Sequence, residues 1–169
     1  MKTAVVYYSM SGNTQQIAEK IADALGADLI RIEPKKEYPS KGFRKFIWGG
    51  KSAVMGDRPK LQPYMLDSGY DRIIIGTPVW ASNITPPIRT FITENRDMLS
   101  RIEIAAFVCY AGGGADKALD KLAALLGIDR LAATLTLIDP KDKPAKNNDE
   151  KVIVFCQNWK DKQKGAVAK

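Results

Sequence analysis

The sequence predicts an α/β fold: a doubly wound, five-stranded parallel sheet with helices on both faces. Three observations carry this expectation. Five short apolar or β-branched runs alternate with segments of helical period, joined mostly by short connections. Runs such as Ile73-Ile74-Ile75 show no polar–apolar alternation, which is the pattern of strands buried on both faces. The chain has 169 residues, a length that suits a single domain spanning 1–169. A domain of this size can bury about two-thirds of its unfolded surface without disulfides or a structural metal.

The elements follow in order. Thr3–Tyr8 reads as the first strand, and after Ser9–Asn13 a helix carries Ile17, Ile21 and Leu25 on one stripe, with Gly26 as its stop. Asp28–Glu33 is the second strand, closed by Pro34. Lys35–Gly69 is a long crossover holding an aromatic-basic stretch, Phe43–Trp48, then Gly49-Gly50, Pro59 and Pro63, and it reads as a short helix plus irregular chain. Asp71–Gly76 is the third strand, and Pro86-Pro87 opens a helix with Ile88, Phe91 and Ile92 inward. Glu103–Tyr110 is the fourth strand, and the helix after Gly112-Gly113-Gly114 uses Leu119, Leu122 and Leu126 and stops at Gly127. Leu131–Ile138 is the fifth strand, ended by Asp139-Pro140. A last helix starts near Asn148 with Val152, Phe155, Cys156 and Trp159 at i, i+3, i+4, i+7. Residues 160–169 read as a frayed tail.

Composition removes several chemistries. The chain has no histidine, which excludes Ser-His-Asp and Cys-His catalysis and most zinc sites. Cys109 and Cys156 lie far apart in apolar runs, so they read as buried small hydrophobes in a reducing cytoplasm, not as a redox or metal pair. The longest charge-free runs, Thr3–Ala18, Ile73–Ile88 and Ile104–Ala115, are shorter than the roughly 17–25 residues of a membrane span. Net charge is +7, and it is uneven: 31–60 holds nine bases against three acids, and 139–169 holds eight against five. No stretch has the pattern of a nucleic-acid reader, and solvated basic faces are common. Neither a nucleic acid nor a membrane is expected as partner.

In doubly wound sheets, ligands bind beyond the carboxyl ends of the strands. Three connections there close the three charge-free runs. Ser9-Met10-Ser11-Gly12-Asn13-Thr14 offers hydroxyls, an amide, a glycine for close approach and the free N–H groups of a helix start. That set suits a phosphate held without Lys or Arg, and it equally suits an ordinary Ser/Asn-rich cap. Thr77-Pro78-Val79-Trp80-Ala81 presents an indole that can flank a planar ring or stay partly buried. Tyr110-Ala111-Gly112-Gly113-Gly114 lets backbone amides meet a ligand closely, or simply turns the chain. A nucleotide-hydrolase loop is absent, because no G-x-x-x-x-G-K-[ST] occurs. A receiver domain is excluded by Tyr8-Ser9 and Gly76-Thr77, where it would need acidic residues.

With these loops the chain resembles the flavodoxin family. Ser9–Thr14 matches that family's hydroxyl-x-hydroxyl-G-N-T signature directly after a first strand, and the second and third loops are similar to its flavin loops. The resemblance spans the whole chain in element order. It implies strand order 2-1-3-4-5 with FMN at the switch between strands one and three, the arrangement for which flavodoxin is itself the stock example. It also implies that Ser9, Met10, Ser11, Gly12, Asn13 and Thr14 hold the phosphate. Thr77, Pro78, Val79, Trp80, Ala81, Tyr110, Ala111, Gly112, Gly113 and Gly114 would then surround the ring. Two features depart from the family: the basic charge, and glycines where many members place a stacking aromatic. The expected function is a one-electron carrier with non-covalent FMN and an acidic redox partner. Phe43–Trp48 is read as covering the sheet or flavin edge with Phe43, Phe46 and Ile47 inward, the alternative being that its cations Lys41, Arg44 and Lys45 dock that partner. The alternative is an NAD(P)H-dependent flavin or quinone oxidoreductase on the same fold. A non-redox binding module would rest on charge alone.

Overall fold

The structure, a computed structural model, describes residues 1–38 and 50–167. Five strands, β1 (Thr3–Tyr7), β2 (Asp28–Arg31), β3 (Arg72–Pro78), β4 (Glu103–Tyr110) and β5 (Thr134–Ile138), form one sheet in the order β2-β1-β3-β4-β5. Every pairing is parallel, with Val6 opposite both Ile30 and Ile75, and Phe107 opposite Gly76 and Leu135. The helices are α1 (Asn13–Leu25), α2 (Pro86–Glu94), α3 (Arg96–Leu99), α4 (Ala115–Leu126) and α5 (Asn148–Val167). None of the helices among the described residues is long and apolar enough to cross a membrane.

Side-chain alternation along the central strands divides the core into two layers. Ala4, Val6, Tyr8, Ile73, Ile75, Ala106 and Val108 face α2 and α4. Val5, Tyr7, Ile74, Phe107 and Cys109 face α1 and α5. Ile73, Ile74 and Ile75 are fully buried, and each such side chain contributes about 1.5–3 kcal/mol of transfer free energy. Phe107 needs the space left by Gly76, because a Cβ there would enter its ring. The doubly wound arrangement thus follows from strands that are apolar on both faces.

The strand limits differ from expectation at their ends. β5 begins at Thr134 and not at Leu131, although Ala132 and Ala133 still exchange backbone hydrogen bonds with Ile104 and Ala106. β2 stops at Arg31, before Glu33. Past it, Pro34 and Leu61 form an antiparallel bridge across the two ends of the long crossover. The helical part of that crossover includes residues 50–54, and the aromatic-basic stretch Phe43–Trp48, whatever it covers or docks, lies outside the described residues. At the other terminus the helix runs on to Val167, and the Lys160 ammonium donates to the carbonyl of Ala24 at the end of α1.

Both cysteines are free and buried. Burial pushes the Cys109 thiol up to about 12 and the Cys156 thiol up to about 11. A raised folded value means that the unfolded chain loses these protons first as the pH climbs past the ordinary thiol range. Stability is therefore intact at neutral pH and falls as the pH rises from about 9 towards 11. Urea midpoints across that window should show the decline, and a Cys109→Val, Cys156→Val variant should flatten it; equal slopes would assign the decline to other groups.

Candidate functional site

At the carboxyl edge of the sheet, beside the switch between β1 and β3, lies a cleft of about 480 Å³. A hollow of about 790 Å³ between β5 and α5 is larger, but it lies on the flank, away from the crevice where such sheets bind ligands. The cleft is lined by parts of all three uncharged loops and by a fourth segment, after β5.

The first loop is built around its glycine. The Gly12 N–H donates to Ser9 Oγ at 3.1 Å, folding the loop back on itself, and Gly12 takes φ 92°, a left-handed value that favours glycine. Helix α1 then starts at Asn13 without a side-chain cap, so its first-turn amides are left for solvent or a ligand. Thr14 is 1% exposed and lines the cleft. Beside it lies the Cys109 thiol, at best a weak acceptor, and no hydrogen bond of ordinary geometry satisfies the buried Thr14 hydroxyl. Such an orphan is uncommon in a native interior. It is the feature a phosphate oxygen would satisfy.

The second loop leaves β3 through Val79, whose N–H donates to the carbonyl of Cys109 at 2.9 Å. Trp80 and Asn83 exchange two backbone hydrogen bonds of 3.0 Å, closing a tight turn on Ala81 (φ 49°) and Ser82 (φ 57°). Two consecutive left-handed residues match a type I′ turn, normally made with Asn-Gly. Trp80 lines the cleft, its ring held edgewise by Tyr8 at 5.8 Å and Tyr38 at 5.2 Å. The third loop presents exposed Ala111, Gly112 and Gly113, with open space beside both glycines. Gly114, at φ 81°, abuts the second loop, and a Cβ there would lie 2.9 Å from Ser82 Cα.

The fourth segment carries Asp139, Asp142 and Lys143 into the cleft lining. Asn13 Nδ2 donates to Asp142 Oδ2 at 2.7 Å, and Asn13 Oδ1 accepts from the backbone N–H of Lys141 at 2.8 Å. Lys141 Nζ donates to the carbonyl of Ser11 at 3.1 Å. Asp139 has φ 35°. The non-glycine residues with left-handed backbone among those described, Ala81, Ser82 and Asp139, thus all lie at this cleft or on its rim. Strain of this kind gathers where geometry serves binding.

The structure brings together Ser11, Asn13, Thr14, Pro78, Val79, Trp80, Ala81, Tyr110, Ala111, Gly112 and Gly113 as lining. The remaining predicted site residues take supporting positions. Ser9 is buried and spends its hydroxyl on Gly12, Met10 packs against the core, and Gly12 and Gly114 shape their loops. Thr77 is fully buried, and its hydroxyl meets Thr85 at 2.9 Å, tying β3 to the start of α2. Asn13 also differs from expectation, because its amide faces the fourth segment.

The expectation of a cleft without cations is corrected too. β5 is an edge strand, whereas α5 shares its face with α1. The connection between them must therefore cross the sheet edge to the first loop, bringing Lys141 and Lys143 with it. Sequence reasoning missed Gly50, Cys109, Asp139, Asp142 and Lys143 in the lining. For Cys109, the strand-end position beside Tyr110 was a usable signal.

A family model described as Flavodoxin matches residues 2–128. Among solved structures, a flavoprotein from Lactobacillus acidophilus NCFM in complex with FMN is 25% identical, with TM-score 0.67, covering 83% of this chain and 95% of that one. Two-electron reduced Megasphaera elsdenii flavodoxin is 18% identical, with TM-score 0.56, covering 92% and 98%. Oxidised flavodoxin 1 from Bacillus cereus is 19% identical, with TM-score 0.54, covering 94% and 96%.

Proposed function

Because the chain belongs to the flavodoxin family, we propose that it binds FMN non-covalently in this cleft and serves as a one-electron carrier. The observation that carries the reading is the buried, unpartnered hydroxyl of Thr14, set beside the uncapped start of α1 in a cleft framed by three uncharged loops. Ser11, Thr14 and the amides of the first loop would hold the phosphate, with neutral donors doing most of the work. Trp80, Tyr110 and the backbone of Ala111–Gly113 would flank the ring. The flavin supplies the redox chemistry, and the protein supplies orientation and electrostatics.

The residues of the chain orient and exclude water. Trp80 is braced by two tyrosines, so its ring is positioned before any ligand arrives, which lowers the ordering cost of binding. The partner would be an acidic redox protein. Lys35, Lys36, Lys51 and Arg58 are exposed in the long crossover, which meets the cleft through Gly50 and touches Trp80 through Tyr38. Complementary charge there would speed encounter more than it would tighten binding.

One observation favours the reductase alternative: the open space beside Gly112 and Gly113 leaves room for a second planar substrate. The two readings part on a simple assay. Apoprotein should quench FMN fluorescence with a one-to-one end point, and the loaded protein should oxidise NADH or NADPH negligibly in the presence of a quinone. Steady NAD(P)H consumption would replace the carrier by the reductase, and failure to bind FMN would overturn both.

A further inference from the structure

We propose that Lys141 is the counter-charge for the cofactor's phosphate, and that this lysine makes the site select a phosphorylated flavin over a neutral one. The inference rests on FMN being the ligand. The first loop has no charged residue of its own, while the described cleft lining includes two carboxylates, Asp139 and Asp142. A phosphate dianion beside them needs compensation. Lys143 faces Asp139 at 3.7 Å, so its charge is shared with an acid already present.

Lys141 is differently placed. Its ammonium donates to a neutral acceptor, the carbonyl of Ser11 at 3.1 Å, and no ion pair among the described residues includes it. It lies 2.8 Å from where a Cβ of Gly12 would be, so the side chain crosses the loop where glycine leaves room. Its own backbone is pinned, because its N–H donates to Asn13 Oδ1 at 2.8 Å and the next residue accepts from Asn13 Nδ2. A cation is therefore held over the same loop that offers the α1 amides and the orphaned Thr14 hydroxyl. The loop that Lys141 crosses thus carries three kinds of donor: its ammonium, the helix-start amides and the Thr14 hydroxyl. The residue also lies beyond residues 2–128, the part matched by the family model.

The test compares FMN with riboflavin, which carries the same ring and no phosphate. Apoprotein, Lys141→Met and Lys141→Arg are each titrated with both flavins by fluorescence quenching, at low and high salt. Loss of a charge-assisted contact should weaken FMN about tenfold in Lys141→Met. Riboflavin affinity should stay unchanged, and Lys141→Arg should keep the wild-type preference. The salt dependence of FMN binding should shrink in the methionine variant. Equal weakening of both flavins would reduce Lys141 to a support for the loop and overturn the proposal, as would unchanged FMN affinity. A wild-type protein that binds neither flavin would overturn the FMN reading itself, a result distinguishable from either of those.

Discussion

Ser11→Asp is expected to weaken FMN binding at least about a hundredfold, a loss of about 3 kcal/mol. Ser11 is exposed on the cleft wall, and its carbonyl holds the Lys141 ammonium. A carboxylate there acts twice: it repels the phosphate, and it draws Lys141 into an ion pair that removes the nearby cation. The fold should be indifferent, since the exposed Ser11 hydroxyl makes only a local hydrogen bond, accepted from Asn13 Nδ2 at 3.1 Å. Flavin content of the purified variant and a fluorescence titration of its apoprotein read the effect directly. Flavin content equal to wild type would show that the phosphate does not sit against this loop.

The largest expected effect on stability lies at the opposite end of the sheet. Arg72 opens β3 and is fully buried, with Nη1 donating to the carbonyl of Trp159 at 2.8 Å and Nη2 paired with Glu103 at 2.6 Å. Its guanidinium also stacks over the Trp159 ring at 3.6 Å. Trp159 is itself fully buried, so this pair fastens α5 to the amino edge of the sheet. Arg72→Ala removes the stack, leaves a buried carbonyl without its donor and opens a cavity. The expected cost is about 3–4 kcal/mol, read as a fall of about 1.5–2 M in the urea midpoint. The folded fraction should bind FMN as before, because the cleft is at the other edge. A loss below about 1 kcal/mol would mean that the pair is replaceable by simple repacking.

Most of the fold was legible because its signals are local. Ile73-Ile74-Ile75 announced a strand buried on both faces, Gly26 and Gly127 announced helix ends, and both occupy left-handed C-caps as such glycines do. The first loop was legible for the same reason: its hydroxyls, glycine and helix start are contiguous. What escaped was every property that depends on a distant partner. The hydroxyl of Thr77 gave no sign of pairing with Thr85 inside the core. Asn13 and Asp142 are 129 positions apart, and no spacing rule connects them. The placement of α5 beside α1 decides that contact, and hydrophobic periodicity gives a helix its buried stripe without saying which neighbour it meets.

That long-range contact has a consequence for the order of events in biogenesis. Ser9–Thr14 leaves the ribosome about 130 residues ahead of Lys141 and Asp142, which brace it, a delay on the order of ten seconds at ordinary elongation rates. Until β5 has joined the sheet and α5 has docked on α1, the nascent loop has neither its clamp nor its cation. Flavin capture is then a step that waits for β5 and α5 to be made and docked, and a ribosome stalled before residue 140 would hold the first loop with its binding site unfinished.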